Sequence, residues 1–158
     1  MMKPSVVLLI PLYYIGNFIA FPLGAHLLAD KIGLNIALLR SHSLFGWCLI
    51  GIGLLNSIYC YVVFMRKGNG TPMPTQPTFR IITDGPFAYT RNPLYIGQFL
   101  ILFGEFLLFG TLPAGLYLMV FIAIYHFIVI PREEKINMQR FGESYSQYMS
   151  TVPRYILQ

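Results

Sequence analysis

The sequence predicts an all-α integral membrane protein with about four transmembrane helices in a single domain, residues 1–158. Of its 158 residues, 56% are hydrophobic and only 11% are charged, whereas soluble domains carry about 25% charged residues. The apolar residues collect in four long runs, and each is close to the roughly 20 residues that cross a hydrocarbon core. The four runs cover residues 6–29, 44–65, 94–111 and 112–130.

The placement of the positive charges predicts how these spans are oriented. Lys3, four cations in residues 66–91 and four after Pro131 make nine of the eleven Lys and Arg residues. A four-span topology puts these nine on one side of the membrane and leaves Lys31 and Arg40 on the other. By the positive-inside rule, both termini are therefore cytoplasmic. The same distribution favours membrane lipids over nucleic acid as the partner of a chain with a net charge of +5.

The first span is expected to be irregular. Pro11 and Pro22 fall within it, and prolines kink or break a helix. The kinks either fit the helix to its neighbours or open a lateral gap for a lipid-like substrate. In the second span, Cys48 and Cys60 lie twelve residues apart, which is about 120° around a helix. They cannot pair within that helix, and we expect a reduced, buried pair of small apolar side chains rather than a metal or redox site.

The connections around the second span differ in character. Residues 30–43 form a short external link before it. Gly46, Gly51 and Gly53 in its outer half would permit close approach of another helix. Arg66 and Lys67 end the span, and the Gly- and Pro-rich residues 68–77 follow. No regular helix is compatible with that composition. Its prolines favour an ordered loop over a flexible one.

The third and fourth apolar runs predict a helical hairpin. Gly110 ends the first arm and Pro113 falls near the first turn of the second, which is the usual order of the two residues at helix ends. The hairpin therefore has a very short outer turn. It returns the stretch before Leu94 and the polar tail after Ile130 to the same membrane surface, where we expect residues 66–93 and 131–158 to meet.

The tail after Pro131 has a helical period. Its apolar positions recur every three or four residues, and Glu134 extends the same face toward the membrane. A carboxylate there is costly unless it meets a cation; Arg91 is one possible partner and a cationic cofactor is another. The alternative is an interfacial amphipathic helix whose charges are solvated. The apolar positions are Met138, Phe141, Tyr145, Tyr148 and Val152.

Two motifs resemble a known family. The first runs from Gly85 to Gly97 and reads GPFAYTRNPLYIG; the second combines the pair Glu133–Glu134 with FGESYSQY from Phe141. Together, in this order and on either side of a helical hairpin, they resemble the isoprenylcysteine carboxyl methyltransferase and phospholipid methyltransferase superfamily. The resemblance covers about residues 70–154. It implies an integral membrane enzyme that takes S-adenosylmethionine from the cytosol and a lipophilic acceptor from the bilayer.

The resemblance also implies site residues. No metal site is expected, because no spacing of His and Cys in the sequence resembles a zinc site. Arg91 and Arg132 are the candidate catalytic residues; Arg132 lies close to the position of an arginine that engages the acceptor in the carboxyl methyltransferases. Carboxylates suit the ammonium of the cofactor, Arg91 or Arg140 suits its carboxylate, and aromatic rings can stack on its adenine or face its sulfonium. The expected cofactor-binding residues are Arg80, Ile81, Ile82, Phe87, Tyr89, Asn92, Pro93, Leu94, Tyr95, Glu133 and Glu134.

One position departs from the family pattern. Many members have Arg-His-Pro where this chain has Arg91-Asn92-Pro93. An asparagine forms hydrogen bonds but does not titrate, so any role that needs an ionisable imidazole is excluded. This departure counts against prenylcysteine as the acceptor more than it counts against the fold.

Two other functions are compatible with the composition. Glu105 lies near the middle of the third span, and an ionisable residue there marks either a functional site or a protonated hydrogen-bonding group within the bundle. The first possibility describes a small ion-coupled transporter centred on Glu105. A noncatalytic membrane scaffold that keeps the fold without the cofactor is the other alternative. The sequence leaves the acceptor and the oligomeric state open.

Overall fold

The computed structural model describes residues 11–35, 43–68 and 78–156, and these residues fold into helices joined by short connections. The predictions for residues 6–10, for residues 36–42 of the external link and for the loop at 69–77 lie outside the described residues. The helices are α1 (Pro11–Ile32), α2 (Ser43–Lys67), α3 (Pro93–Phe109), α4 (Leu112–Phe141) and α5 (Glu143–Thr151). The predicted all-α membrane class is confirmed.

Among the described residues, three helices are long and apolar enough to cross a membrane: α1 with 22 residues, α2 with 24 from Leu44 onward, and α4 with 30. The remaining helix, α3, covers the third predicted span and has 17 residues. At 1.5 Å per residue it is about 25 Å long, which is shorter than the ~30 Å hydrocarbon core. Helix α4 is longer than that core, and its polar end begins with the charged residues 132–135. We take its membrane-spanning part to end near Ile130.

In both α1 and α4, a π-helical turn precedes a proline. One covers Gly16–Ala20 in α1 and precedes Pro22; the other covers Tyr125–Val129 in α4 and precedes Pro131. A proline inside a helix lacks an N–H donor, and its ring clashes with the carbonyl four residues earlier. A wider π turn relieves that crowding without ending the helix. The predicted kink of the first span is thus a π turn inside a continuous helix, and α4 continues through Pro131.

The tail contains a break that its helical period does not predict. Gly142 separates α4 from α5 with φ 52° and ψ −126°, a conformation that residues with a side chain rarely adopt. The Gly142 carbonyl then accepts the N–H groups of Tyr145 and Ser146 and starts α5. The single apolar face expected for the tail is therefore divided: Tyr145 and Tyr148 on α5 are buried, whereas Met138 on α4 is exposed.

The chain divides into two compact units, and the first contains the described residues up to Leu54 together with Gln98–Ile122. Within it, α2 and α3 touch through their backbones: a Cβ built on Gly104 would lie 2.6 Å from the Gly46 carbonyl oxygen. The close approach expected at Gly46 is confirmed. At Gly51 the expectation is wrong, because an added Cβ would meet no atom within 4 Å. The predicted hairpin turn is also confirmed, because α3 ends at Phe109, Gly110 adopts φ 59°, and α4 begins at Leu112.

The second unit contains residues 55–97 and the chain from Ala123 onward. Its apolar core consists of five buried residues, with Tyr61 and Phe64 packed against them: Cys60, Val63, Ile82, Phe87 and Leu94. Both cysteines are free; Cys60 is buried, as expected, whereas Cys48, on the part of α2 that belongs to the first unit, is exposed. The two segments that the sequence predicts to meet, before Leu94 and after Ile130, lie together in this unit.

Candidate active site

The second unit contains a cavity of about 280 Å³, just below the roughly 300–1,000 Å³ of typical ligand sites. Its walls combine aliphatic and aromatic side chains with two carboxylates and two guanidinium groups. The lining residues are Phe64, Thr78, Ile81, Ile82, Phe87, Arg91, Asn92, Pro93, Leu94, Tyr95, Glu133, Glu134, Ile136, Asn137, Arg140, Phe141, Tyr145 and Tyr148.

A short 3₁₀ turn, Gly85–Ala88, supplies one wall of the cavity. Pro86 at its start fixes φ in a value that suits a helical turn, and the turn directs Phe87 into the core. The Phe87 ring packs edge-to-face on Phe64 at a centroid distance of 5.2 Å. The Tyr148 hydroxyl donates a 2.7 Å hydrogen bond to the Phe87 carbonyl. This contact joins α5 to the turn and fixes the wall.

Glu133 is held at the cavity by Tyr95. The Tyr95 hydroxyl donates a 2.6 Å hydrogen bond to Oε1 of Glu133, a length typical of a hydroxyl bonded to a carboxylate. Glu133 lies on the polar end of α4, beyond the membrane-spanning part. Burial raises the pKa of the Glu133 carboxyl, and the hydrogen bond from Tyr95 partly opposes that rise. Glu133 is thus a carboxylate for which a cationic partner is favourable.

Glu134, the next residue, lies between two arginines. Its Oε1 atom is 3.4 Å from Nη2 of Arg91, and Arg154 donates from Nε to Oε1 at 3.1 Å and from Nη2 to Oε2 at 2.6 Å. The side chains of Arg91 and Glu134 are only 10% and 11% exposed. The predicted pairing of Glu134 with Arg91 is therefore present. Arg154 supplies a second and more closely bound cation.

Arg91 has spare donors inside this unit. Its Nε and Nη1 atoms are buried and have no hydrogen-bond partner among the described residues. A buried donor without an acceptor is unfavourable, and more so when it carries charge. The Arg91–Glu134–Arg154 triad also has a net charge of +1, because two guanidinium groups share one carboxylate. Both features predict an anionic group of a ligand at Arg91.

Two tyrosines of α5 complete the wall beside the charged residues. Burial raises the pKa of both the Tyr145 and the Tyr148 hydroxyl, so both stay neutral at physiological pH. The two hydroxyls can form hydrogen bonds in the wall of the cavity but do not act as bases. Arg140 lies at the exposed rim, where it donates to the Thr78 carbonyl and stacks on the Phe141 ring at 4.9 Å.

The structure brings most of the predicted site residues to this cavity. Ten of them line it: Ile81, Ile82, Phe87, Arg91, Asn92, Pro93, Leu94, Tyr95, Glu133 and Glu134. Three do not line it. Arg80 and Arg132 have exposed side chains, and Tyr89 is 74% exposed, because it follows the 3₁₀ turn and faces away from the core that Phe87 enters.

Sequence reasoning missed Arg154 entirely. Arg154 follows Pro153, outside the helical period of the tail, and its role depends on a chain reversal after α5 that no spacing in the sequence indicates. Asn137 and Tyr145 were also left out of the expected site. Asn137 follows Glu133 by four residues, which places the two on one face of α4, whereas Tyr145 lies beyond the break at Gly142. That spacing is a usable signal for residues of this kind.

The architecture and the site define a class: an all-helical membrane protein with a charged, aromatic-lined ligand cavity in its polar part. The family model described as phospholipid methyltransferase matches residues 41–144, about two thirds of the chain, and the protein belongs to this family. It is thus a membrane protein of a methyltransferase family.

A curated relative gives a second comparison. The protein-S-isoprenylcysteine O-methyltransferase of Schizosaccharomyces pombe (strain 972 / ATCC 24843) is 34% identical over 73 residues, which make up 46% of this chain and 31% of the relative. The chain therefore matches about a third of the length of that protein. No solved structure matches the chain significantly.

Proposed function

We propose that the protein transfers a methyl group from S-adenosylmethionine to a lipophilic acceptor at the cytoplasmic face of the membrane. The observation that carries this proposal is the pairing, in one cavity, of a buried carboxylate with a buried guanidinium that has free donors. Glu133 contributes a charge of −1 and the Arg91–Glu134–Arg154 triad contributes +1. An amino-acid zwitterion, with its ammonium and carboxylate on one carbon, is the complementary ligand.

The residues present fit this cofactor. Glu133 would accept from its ammonium, and the spare Nε and Nη1 donors of Arg91 would bind its carboxylate. Phe64 and Phe87 provide aromatic surface for its adenine, and Tyr95 provides a ring face for its sulfonium. When bound, S-adenosylmethionine supplies a methyl group on a positively charged sulfur.

The work of the protein in such a reaction is mainly alignment and exclusion of water. The positive charge on sulfur disappears during methyl transfer, so no strong acid is needed, and a fixed geometry in a dry pocket lowers the barrier. Ile82, Phe87 and Leu94 are buried around the cavity and keep water from its apolar side. The hydrogen bond from Tyr95 holds Glu133 in one orientation.

The acceptor is proposed to be lipophilic because the cavity lies in a protein with membrane-spanning helices. The family description names phospholipids, and the curated relative is named for isoprenylcysteine. A carboxylate or thiolate acceptor needs no base, whereas an amine has to lose a proton. We propose a lipid-like acceptor of one of these classes, entering from the bilayer.

Calorimetry with the purified protein in detergent tests the cofactor. We expect S-adenosylhomocysteine to bind in the micromolar range, and absence of binding at millimolar concentration would contradict the proposal. Incubating membranes that contain the protein with cofactor labelled on the methyl group tests the reaction. Label is expected in the lipid-extractable fraction, and a variant without the Glu133 charge should reduce it.

A further inference from the structure

The last described residues of the chain, 152–156, fold back onto the turn that carries Arg91. The Arg91 N–H donates to the Pro153 carbonyl at 3.0 Å. The Arg154 carbonyl accepts two hydrogen bonds, from Oγ1 of Thr90 at 2.8 Å and from Nδ2 of Asn92 at 3.2 Å, which uses both of its lone pairs. The backbone around Arg154 is therefore fixed against residues 90–92.

The side chain of Arg154 is fixed as firmly as its backbone. It binds both oxygens of Glu134 through Nε and Nη2, the bidentate geometry in which a guanidinium holds a carboxylate most strongly. Lysine has no equivalent of this planar fork. Arg154 thus orients the Glu134 carboxylate, and that carboxylate in turn meets Nη2 of Arg91.

This arrangement changes what Glu134 can do. Both of its oxygens already contact protein cations, so Glu134 is a poor partner for the ammonium of a ligand, and Glu133 remains for that task. The Arg91–Glu134–Arg154 triad instead affects how Arg91 can bind a ligand. The Nη2 atom of Arg91 lies 3.4 Å from Oε1 of Glu134, and its buried Nε and Nη1 donors remain for another acceptor.

We propose that Arg154 is a positioning residue that acts through Glu134 to hold the Arg91 guanidinium ready for the carboxylate of the cofactor's amino-acid group. The inference rests on the proposed cofactor and adds a role for the segment that follows α5. It predicts a selective defect: loss of Arg154 weakens ligands that carry the carboxylate and spares ligands that lack it. A purely structural role would weaken both kinds of ligand alike.

The experiment compares two ligands that differ in the amino-acid group. S-Adenosylhomocysteine has the ammonium and the carboxylate, whereas 5′-methylthioadenosine keeps the nucleoside and sulfur but has neither. Calorimetry measures both affinities for the wild-type protein, Arg154→Gln, Arg154→Lys and the control Lys135→Gln. Lys135 is exposed on α4 and does not line the cavity, so its substitution matches the charge change alone.

We expect Arg154→Gln to weaken S-adenosylhomocysteine about tenfold or more, the scale of one hydrogen bond to a charged group, and to change 5′-methylthioadenosine by less than about twofold. Arg154→Lys, which keeps the charge but loses the fork, is expected to fall between wild type and Gln. Lys135→Gln should match wild type for both ligands.

An unchanged affinity for S-adenosylhomocysteine in Arg154→Gln, or an equal loss for both ligands, would overturn the positioning role. If Arg154→Gln does not fold, Arg154→Lys is used in its place. That variant must then lose more affinity for S-adenosylhomocysteine than for 5′-methylthioadenosine. Failure of the wild-type protein to bind S-adenosylhomocysteine at all would instead refute the proposed function, and the inference with it. The two failures are thus distinguishable in one set of titrations.

Discussion

Replacing Glu133 by Gln tests the central contact of the proposed site. The Tyr95 hydroxyl donates to Oε1 of Glu133 at 2.6 Å, and the amide oxygen of Gln can accept the same bond. The substitution therefore removes the charge and keeps the shape. Removing one partner of a buried, hydrogen-bonded charge pair costs about 2–5 kcal/mol of binding free energy.

We expect a value at the lower end of that range. The ionised form of Glu133 is already opposed by burial, as its raised pKa shows, so part of the charge interaction offsets desolvation. A loss of about 2 kcal/mol corresponds to roughly 30-fold weaker binding. The assay is calorimetric titration of the purified protein with S-adenosylhomocysteine and with 5′-methylthioadenosine.

Glu143→Gln is the matched control, because Glu143 is exposed at the start of α5 and does not line the cavity. It is expected to bind both ligands as wild type does. The reasoning fails if Glu133→Gln keeps wild-type affinity for S-adenosylhomocysteine. It also fails if 5′-methylthioadenosine, which has no ammonium for the carboxylate, is weakened as strongly.

The same carboxylate predicts a pH dependence. An ammonium ligand binds the ionised form of Glu133, so affinity should fall as the pH drops through the pKa of this group. Because burial raises that pKa, the fall should begin at a higher pH than for an exposed carboxylate, whose pKa is about 4.3. Wild-type affinity measured across mildly acidic pH should show the fall, and Glu133→Gln should remove it.

Three further predictions concern neighbouring features. Tyr95→Phe should weaken S-adenosylhomocysteine by about fivefold, because Glu133 loses its oriented hydrogen bond, worth about 1 kcal/mol; equal affinity in calorimetry would contradict this. Gly104→Ala should lower the melting temperature in detergent, since its Cβ would lie 2.6 Å from a backbone oxygen of α2. Such overpacking costs about 1–3 kcal/mol of stability. Gly51→Ala, whose Cβ would have no atom within 4 Å, should leave the melting temperature unchanged. Glu105→Gln should leave the affinity for S-adenosylhomocysteine unchanged. If the wild-type protein in proteoliposomes shows proton-coupled transport and Glu105→Gln abolishes it, the result would support the carrier hypothesis instead.

The sequence predicts the helices well because long apolar runs leave few alternatives in a membrane. Backbone groups in hydrocarbon have to be satisfied within the segment, and a helix does this. The hairpin turn could also be predicted from the sequence, because Gly110 and Pro113 mark its two sides. The break at Gly142 was not, since the apolar period of the tail continues across it and only the conformation of the glycine ends the helix.

The candidate site was predicted in part for a similar reason. Residues that lie in the two motifs, such as Phe87, Tyr95 and Glu133, were identified from local sequence. Arg154 and the use of both Glu134 oxygens by protein cations depend on a contact between residues 20 positions apart, after a reversal of the chain. Arg80, Tyr89 and Arg132 show the converse, because a neighbour of a cavity residue often points away from the cavity.

The structure gives Asn92 a role that the sequence does not indicate, namely a contact with Arg154. Its amide lines the cavity and also donates to the Arg154 carbonyl, beside the Thr90 hydroxyl. This position needs a hydrogen-bond donor, and an amide donates at every pH, whereas an imidazole changes its donors as it titrates. A non-titrating residue is therefore suited to holding the segment that orients Glu134. It follows that Asn92 contributes to the site through the position of Arg91, and not through transfer of a proton.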